Sequence, residues 1–301
     1  MRDLKAYAAI VNARLEQIPA VIGEGEYTIG EIPWLLSQSM RYSLCAGGKR
    51  LRPAMLLAAV EMLGGSVEEA LDFACAVEMI HTYSLIHDDL PGMDNDTLRR
   101  GRPTNHVVFG EGQAILAGDG LLNCAFETML EAASRHPDKA FQSLMAIREI
   151  ATGAGVTGMI AGQVMDLFCE DHRVSDVKAL EYIQRNKTAC MFIYPLRAAA
   201  RLCGAHEHVL EALTRYGRAF GLLFQATDDL LDVTGDAENM GKTLGKDADS
   251  GKLTCVSAYG IDGTRALVEK QHLDALDALS IFGDRAAFFA RLVDSMVNRT
   301  A

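Results

Sequence analysis

The 301 residues are 49% hydrophobic and 23% charged, a balance that suits a soluble chain with a large core. A net charge of −11 excludes the broad basic surface that nucleic acid or anionic lipid would need. Seven cysteines without a CxxC pair read as buried thiols in a reducing cytoplasm, and the apolar runs are broken short of a membrane span.

The first segment, MRDLKAYAAIVNARLEQ, is amphipathic and carries Asp3 and Glu16, unlike a signal peptide. Apolar residues then recur at three and four almost throughout, and no period-2 strand stands out. The spacing predicts helices over 3–18, 33–46, 51–63, 67–90, 111–135, 138–168, 176–203, 206–234, 263–280 and 284–299. Segment 67–90 is apolar on nearly all sides, as a central bundle helix should be. Pro91-Gly92 predicts its end, and Pro195 predicts a kink in 176–203. Without a linker or low-complexity stretch, the chain reads as one all-α domain, 1–301, a helical bundle.

Several motifs are decoys. GAGVTG at 153–158 fits GxGxxG but follows no strand, and reads better as small residues that let two helices approach. GDAENMGKT at 235–243 has one residue too many for a P-loop, which leaves Lys242 as a phosphate-contacting candidate. DNDTLRR begins like a calcium loop but lacks its central Gly and terminal Glu.

The chemistry lies in an echo, IHDDLPGMD at 86–94 and ATDDLLD at 226–232. Asp228 and Asp232 stack on one helix face, Asp229 flanks them, and Gln225 lies one turn earlier. Such acids repel each other unless cations sit among them, and hard oxygen ligands suit Mg²⁺ bridged to phosphate. Solvated acids at a helix end are the competing reading of this cluster alone. Asp88 and Asp89 end the apolar helix, and Asp94 can turn back after the Pro-Gly break. His81 shares Asp88's face, although a lone core histidine is more often structural. AGGKRLRP at 46–53 puts Lys49, Arg50 and Arg52 at a helix start, where backbone N–H groups favour anions. Arg99, Arg100 and Arg102 follow the first acidic cluster, and NKT adds Lys187. Singly each is an ordinary surface cation; jointly they describe a pocket for polyanions held partly through metal.

GGKRLRP, EMIHTYSLIHDDLPGMDNDTLRRGRPT, LAGDGLL, GQVMDL, NKT, FQATDDLLDVTGD and GKTLGKD together resemble the short-chain trans-isoprenyl diphosphate synthases, most nearly the bacterial farnesyl diphosphate synthases. The resemblance covers nearly the whole length. It implies the isoprenoid synthase fold, about ten helices around a central cavity, and a homodimer. It places Asp88, Asp94 and Asp228 on three Mg²⁺ ions (Mn²⁺ as substitute), with Asp89, Asp229 and Asp232 in support. It gives Arg99, Lys187 and Lys242 to the allylic diphosphate, and Lys49, Arg52, His81 and Arg100 to isopentenyl diphosphate. Thr188 and Gln225 are implied to point oxygens at a carbocation. Gln163 and Asp166 receive no firm role, structural support being the alternative.

The reaction implied is condensation of isopentenyl diphosphate with dimethylallyl or geranyl diphosphate by ionisation, attack and proton loss. Tyr83, with the small Ser84 after it, is implied to floor the product cavity and stop growth at C15, farnesyl diphosphate. Helical phase alone puts Tyr83 about 140° from Asp88, with Ser84 closer, so a core tyrosine is the competing reading. A geranylgeranyl synthase uses the same chemistry. A terpene cyclase is disfavoured by the intact DDLLD, and a non-catalytic subunit by both intact motifs. Neither nucleic acid nor membrane is expected as a partner.

Overall fold

Ser66 sets the start of the helix that organises the first half of the chain. Its hydroxyl accepts from the Glu69 amide, and Glu68 and Glu69 put negative charge where the helix dipole favours it. The computed structural model describes residues 2–18, 33–234 and 252–297. Contacts along the chain group these into two units, 2–147 and 148–297.

The first unit holds α1 (Leu4–Leu15), α2 (Trp34–Leu44), α3 (Leu51–Met62), α4 (Val67–Asp88), α5 (Asn105–Phe109) and α6 (Glu111–Ser134). Helices α1, α2, α3 and α6 pack on α4. That is why its residues are apolar all round: Phe73, Ala74, Cys75, Ala76, Val77, Met79 and Ile80 are at most 2% exposed. Charges enter this core paired. Arg50 binds Glu78 at 2.6 Å, Asn12 at 2.8 Å and the Leu44 carbonyl at 2.6 Å. Asp72 accepts from both Arg14 and Arg135.

One strand pair departs from the all-helical pattern. β1 (Leu98–Arg99) and β2 (Arg102–Pro103) form an antiparallel hairpin that pairs Arg99 with Arg102. Its two-residue loop, Arg100-Gly101, has φ of 54° and 73°, the left-handed turn that matches strand twist. Two residues per strand are too few to register as alternation.

The second unit holds α8 (Met159–His172), α9 (Val177–Ile183), a π-helical turn Gln184–Ala189, α10 (Cys190–Leu202), α11 (Glu207–Thr234), α12 (Cys255–Ala278) and α13 (Ala287–Val297). The division between units falls inside α7 (Ala140–Ala154). Three expectations shift here. The helix expected over 138–168 breaks between α7 and α8. The helix expected over 176–203 is interrupted by the π turn, and α10 runs through Pro195. Helix α12 starts at Cys255 rather than 263, because Thr254 and Ser257 form a capping box; Gly260, at φ 69°, interrupts the spacing beyond it.

By length and composition the stretch Pro137–His172 could cross a membrane, which the sequence reading did not register. The break divides it into helices of 15 and 14 residues, short of the about 20 that a span needs.

Candidate active site

In the first unit, the glycine-rich turn and the arginine hairpin meet. The Arg100 guanidinium donates to the Gly47 carbonyl and lies on Gly48, where a Cβ would come within 2.5 Å of Nη1. At φ 126° the backbone itself favours glycine there, whatever the guanidinium does. Arg50, with φ 48°, ends the turn and anchors it to the core through Glu78, so Lys49 stays at the surface. Arg52, in the first turn of α3, brings Nη1 to 3.5 Å from Nε2 of His81. Burial, followed by Arg52, Arg100, Arg99 and Arg50, holds the His81 imidazole well below its ordinary pKa. It is therefore neutral near pH 7; since arginine can donate but not accept, Nε2 takes the acceptor role and Nδ1 the proton. The structure thus gathers Arg52 with His81, and Arg100 with the turn that carries Lys49.

The first aspartate motif folds back on itself. After α4 ends, the Met93 and Asn95 amides bond to the Leu90 carbonyl, and the Asp94 amide donates to the Asp88 carbonyl at 2.8 Å. Asp89 turns the other way. It is 3% exposed, and Arg99 grips both its oxygens, with Nε at 2.8 and 3.0 Å and Nη2 at 2.6 Å. Burial raises the Asp89 pKa while Arg99 opposes the rise. Asp89 is a support, and Arg99 is held beside the motif by it. Arg102 instead stacks on the Tyr42 ring at 4.5 Å.

Tyr83 is 6% exposed and meets His87, one turn on, edge to face at 5.8 Å. His87 in turn lies 3.0 Å from the Ile115 carbonyl of α6. Ser84 donates to the His81 carbonyl at 2.9 Å. Tyr83 therefore lies on the His87 side of α4, as helical phase requires.

In the second unit, α8 crosses the π turn so closely that a Cβ on Gly162 would sit 2.1 Å from the Lys187 amide. This approach brings Lys187 to Asp166, Nζ to Oδ2 at 2.5 Å. The next residue, Thr188, donates to Gln225 Oε1 at 3.0 Å, and Gln225 Nε2 donates to Asp229 at 2.8 Å. The other Asp229 oxygen accepts from the Cys255 amide at 2.7 Å. The Cys255 thiol is buried, which with Asp229 pushes its pKa up to about 12, and it accepts from Gln184. Asp228 and Asp232 are partly exposed on α11, whereas Asp229 is 4% exposed. Cys255 and Gln184 escaped the sequence reading, because their partners lie 26 and 71 residues away. Lys242 lies outside the described residues.

Among the described residues no three His, Cys, Asp or Glu side chains form a ready metal cage. Mg²⁺ needs none: it is typically held by one or two carboxylates together with substrate phosphates and water. In the first unit Asp88 and Asp94 are joined through the main chain, and in the second Asp228 is partly exposed; each is a carboxylate of the hard-oxygen kind that Mg²⁺ takes. The side-chain nitrogens of Gln163 and Asn186 are buried without a hydrogen-bond partner.

The polyprenyl synthetase family pattern matches residues 33–278. The chain is 44% identical over 270 residues to the heterodimeric geranylgeranyl pyrophosphate synthase large subunit 1, chloroplastic, of Arabidopsis thaliana, covering 89% of this chain and 73% of that one. It is 43% identical over 287 residues to a dimethylallyltranstransferase of Fischerella ambigua (strain UTEX 1903), covering 95% and 82%. Among solved structures it resembles an FPP/GFPP synthase from Zymomonas mobilis in its apo form, with a TM-score of 0.83, 34% identity and 98% of each chain covered. The chain belongs to the polyprenyl synthetase family, the trans-isoprenyl diphosphate synthases: it is a prenyltransferase with the isoprenoid synthase fold.

Proposed function

We propose that this prenyltransferase joins isopentenyl diphosphate to dimethylallyl and then geranyl diphosphate, with Mg²⁺, and releases farnesyl diphosphate. The observation that carries the reading is the folded-back first motif, where the Asp94 amide bonds to the Asp88 carbonyl while Asp89 and Arg99 brace each other. Asp88, Asp94 and Asp228 are the proposed Mg²⁺ ligands. Bound Mg²⁺ would neutralise the charge that grows on a departing diphosphate.

The chain's own groups account for the rest. Arg99, Lys187 and Lys242 bind the allylic diphosphate, and preorganised cations favour its ionisation. Lys49, Arg52 and Arg100 bind isopentenyl diphosphate; neutral His81 accepts from Arg52 and keeps that guanidinium in place. Thr188 and Gln225 turn oxygen lone pairs toward the allylic cation. Attack by the isopentenyl double bond, held in a near-attack pose, forms the carbon–carbon bond. Loss of a proton to the departing diphosphate completes the step. No nucleophilic Ser or Cys is required, in keeping with the high pKa of Cys255.

Tyr83 is the proposed floor of the product cavity, with Ser84 after it. The names of the plant relatives favour a second reading, a C20 geranylgeranyl product from the same chemistry. Incubating the protein with labelled isopentenyl diphosphate and each allylic primer, then sizing the products, separates the two. We further propose a cytoplasmic homodimer. The compartment is supported by seven cysteines that are all free thiols, and the assembly by the family resemblance.

A further inference from the structure

Asp229 belongs to an aspartate motif by sequence, yet both its oxygens are engaged by the protein itself. The first amide of α12, Cys255 N–H, donates to Oδ2 at 2.7 Å. The start of a helix carries unpaired N–H groups and a positive dipole end, so this is a favourable place for a carboxylate. Oδ1 accepts from Gln225 Nε2 at 2.8 Å, and the residue is 4% exposed. A carboxylate so placed only accepts, which fixes how the Gln225 amide lies: its NH₂ faces Asp229 and its oxygen faces Thr188. Thr188 must then donate to that oxygen, as it does at 3.0 Å. Its proton is committed inward, and its lone pairs are left to face elsewhere.

We propose that Asp229 is a positioning residue that sets the hydrogen-bond direction of Gln225 and Thr188, so that oxygen lone pairs rather than protons face the allylic cation. The proposal rests on the prenyl-transfer reading above and assigns no metal to Asp229. Its chemistry is a matter of polarity. A hydroxyl that presents lone pairs stabilises a carbocation, and the same hydroxyl that presents its proton opposes it.

Asp229→Asn keeps the shape and reverses the relay. The Cys255 amide, a fixed donor, takes the single side-chain oxygen, so the new NH₂ faces Gln225. Gln225 must flip to accept from it, its own NH₂ then points at Thr188, and the Thr188 proton turns outward. Turnover with dimethylallyl diphosphate should fall about tenfold or more, the scale of losing one preorganised group at a charged centre. KM for both diphosphates and the Mg²⁺ concentration for half activity should stay within about twofold. Calorimetric binding of a non-ionising allylic thiolodiphosphate with Mg²⁺ should be equally unmoved, a readout independent of turnover.

Gln225→Met removes the relay without replacing it, and should lower kcat with the same unchanged binding. In that background Asp229→Asn should cost no more than about twofold, because its only route to the cation is gone. If Asp229→Asn will not fold, Gln225→Met alone decides: unchanged kcat, or weaker Mg²⁺-dependent binding, overturns the proposal. A loss of analogue binding or a raised Mg²⁺ requirement in Asp229→Asn would make Asp229 a metal ligand and end it. Fully additive losses in the two variants would end it equally. Failure of the wild-type protein to incorporate labelled isopentenyl diphosphate would instead remove the prenyl-transfer reading itself.

Discussion

The Asp94 amide donates to the Asp88 carbonyl across 2.8 Å, and this bond folds the main chain of the first aspartate motif back on the end of α4. Leu90-Pro91-Gly92 makes the fold-back necessary, since α4 cannot continue through the proline. If these acids act as Mg²⁺ ligands, Asp88→Ala and Asp228→Ala should each lower turnover by at least ~100-fold. Steady-state rates at saturating Mg²⁺ check this, and near-normal activity in either variant would rule out the two-motif account.

Asp89 should behave differently from Asp88. Both its oxygens are taken by Arg99, so Asp89→Asn weakens a charge-assisted contact and costs about 1.5–3 kcal/mol of stability. Urea unfolding of the variant and wild type gives the difference. A stability change near zero would show that the pair is not the brace described.

Separate diphosphate sites should separate kinetically. Lys49→Ala and Arg52→Ala should raise KM for isopentenyl diphosphate, and Arg99→Ala should weaken use of the allylic primer. Identical substrate profiles for the three variants would merge the two sites into one.

The neutral His81 predicts a pH dependence of stability. Its folded pKa is depressed below the ordinary 6.5, by burial first and then by Arg52, Arg100, Arg99 and Arg50. As pH falls through that value, the unfolded chain takes up a proton that the folded one refuses. The unfolded state then binds more protons, so His81 costs stability on the acid side and nothing well above pH 6.5. His81→Gln should therefore flatten the decline of unfolding free energy between about pH 7.5 and 5.5. Parallel curves would show that His81 does not stay neutral.

What could be read from the chain and what could not follow a physical line. Helix α4 announced itself because burial on all sides demands an unbroken apolar run, and Pro91-Gly92 marked its end. AGGKRLRP was legible as a helix start, but the Arg100 guanidinium that lies on Gly48 comes from 52 residues away. Arg50 was grouped with Lys49 as an anion contact, yet it is a buried strut to Glu78. The π turn was invisible because the apolar spacing of 176–203 tolerates such a local irregularity, so Pro195 drew attention instead. The link from Asp229 to Cys255 left no local pattern at all.

The central claim is prenyl transfer ending at C15, and product sizing tests it most directly. Wild-type protein, labelled isopentenyl diphosphate and dimethylallyl diphosphate should give mainly farnesyl diphosphate with Mg²⁺ and nothing with chelator. Tyr83→Ala should carry growth toward C20 with the fold retained. A mainly C20 wild-type product would contradict the farnesyl assignment and leave the prenyltransferase intact. An unchanged product in Tyr83→Ala would assign the cavity floor to another residue, and the absence of any Mg²⁺-dependent incorporation would contradict the account at its root.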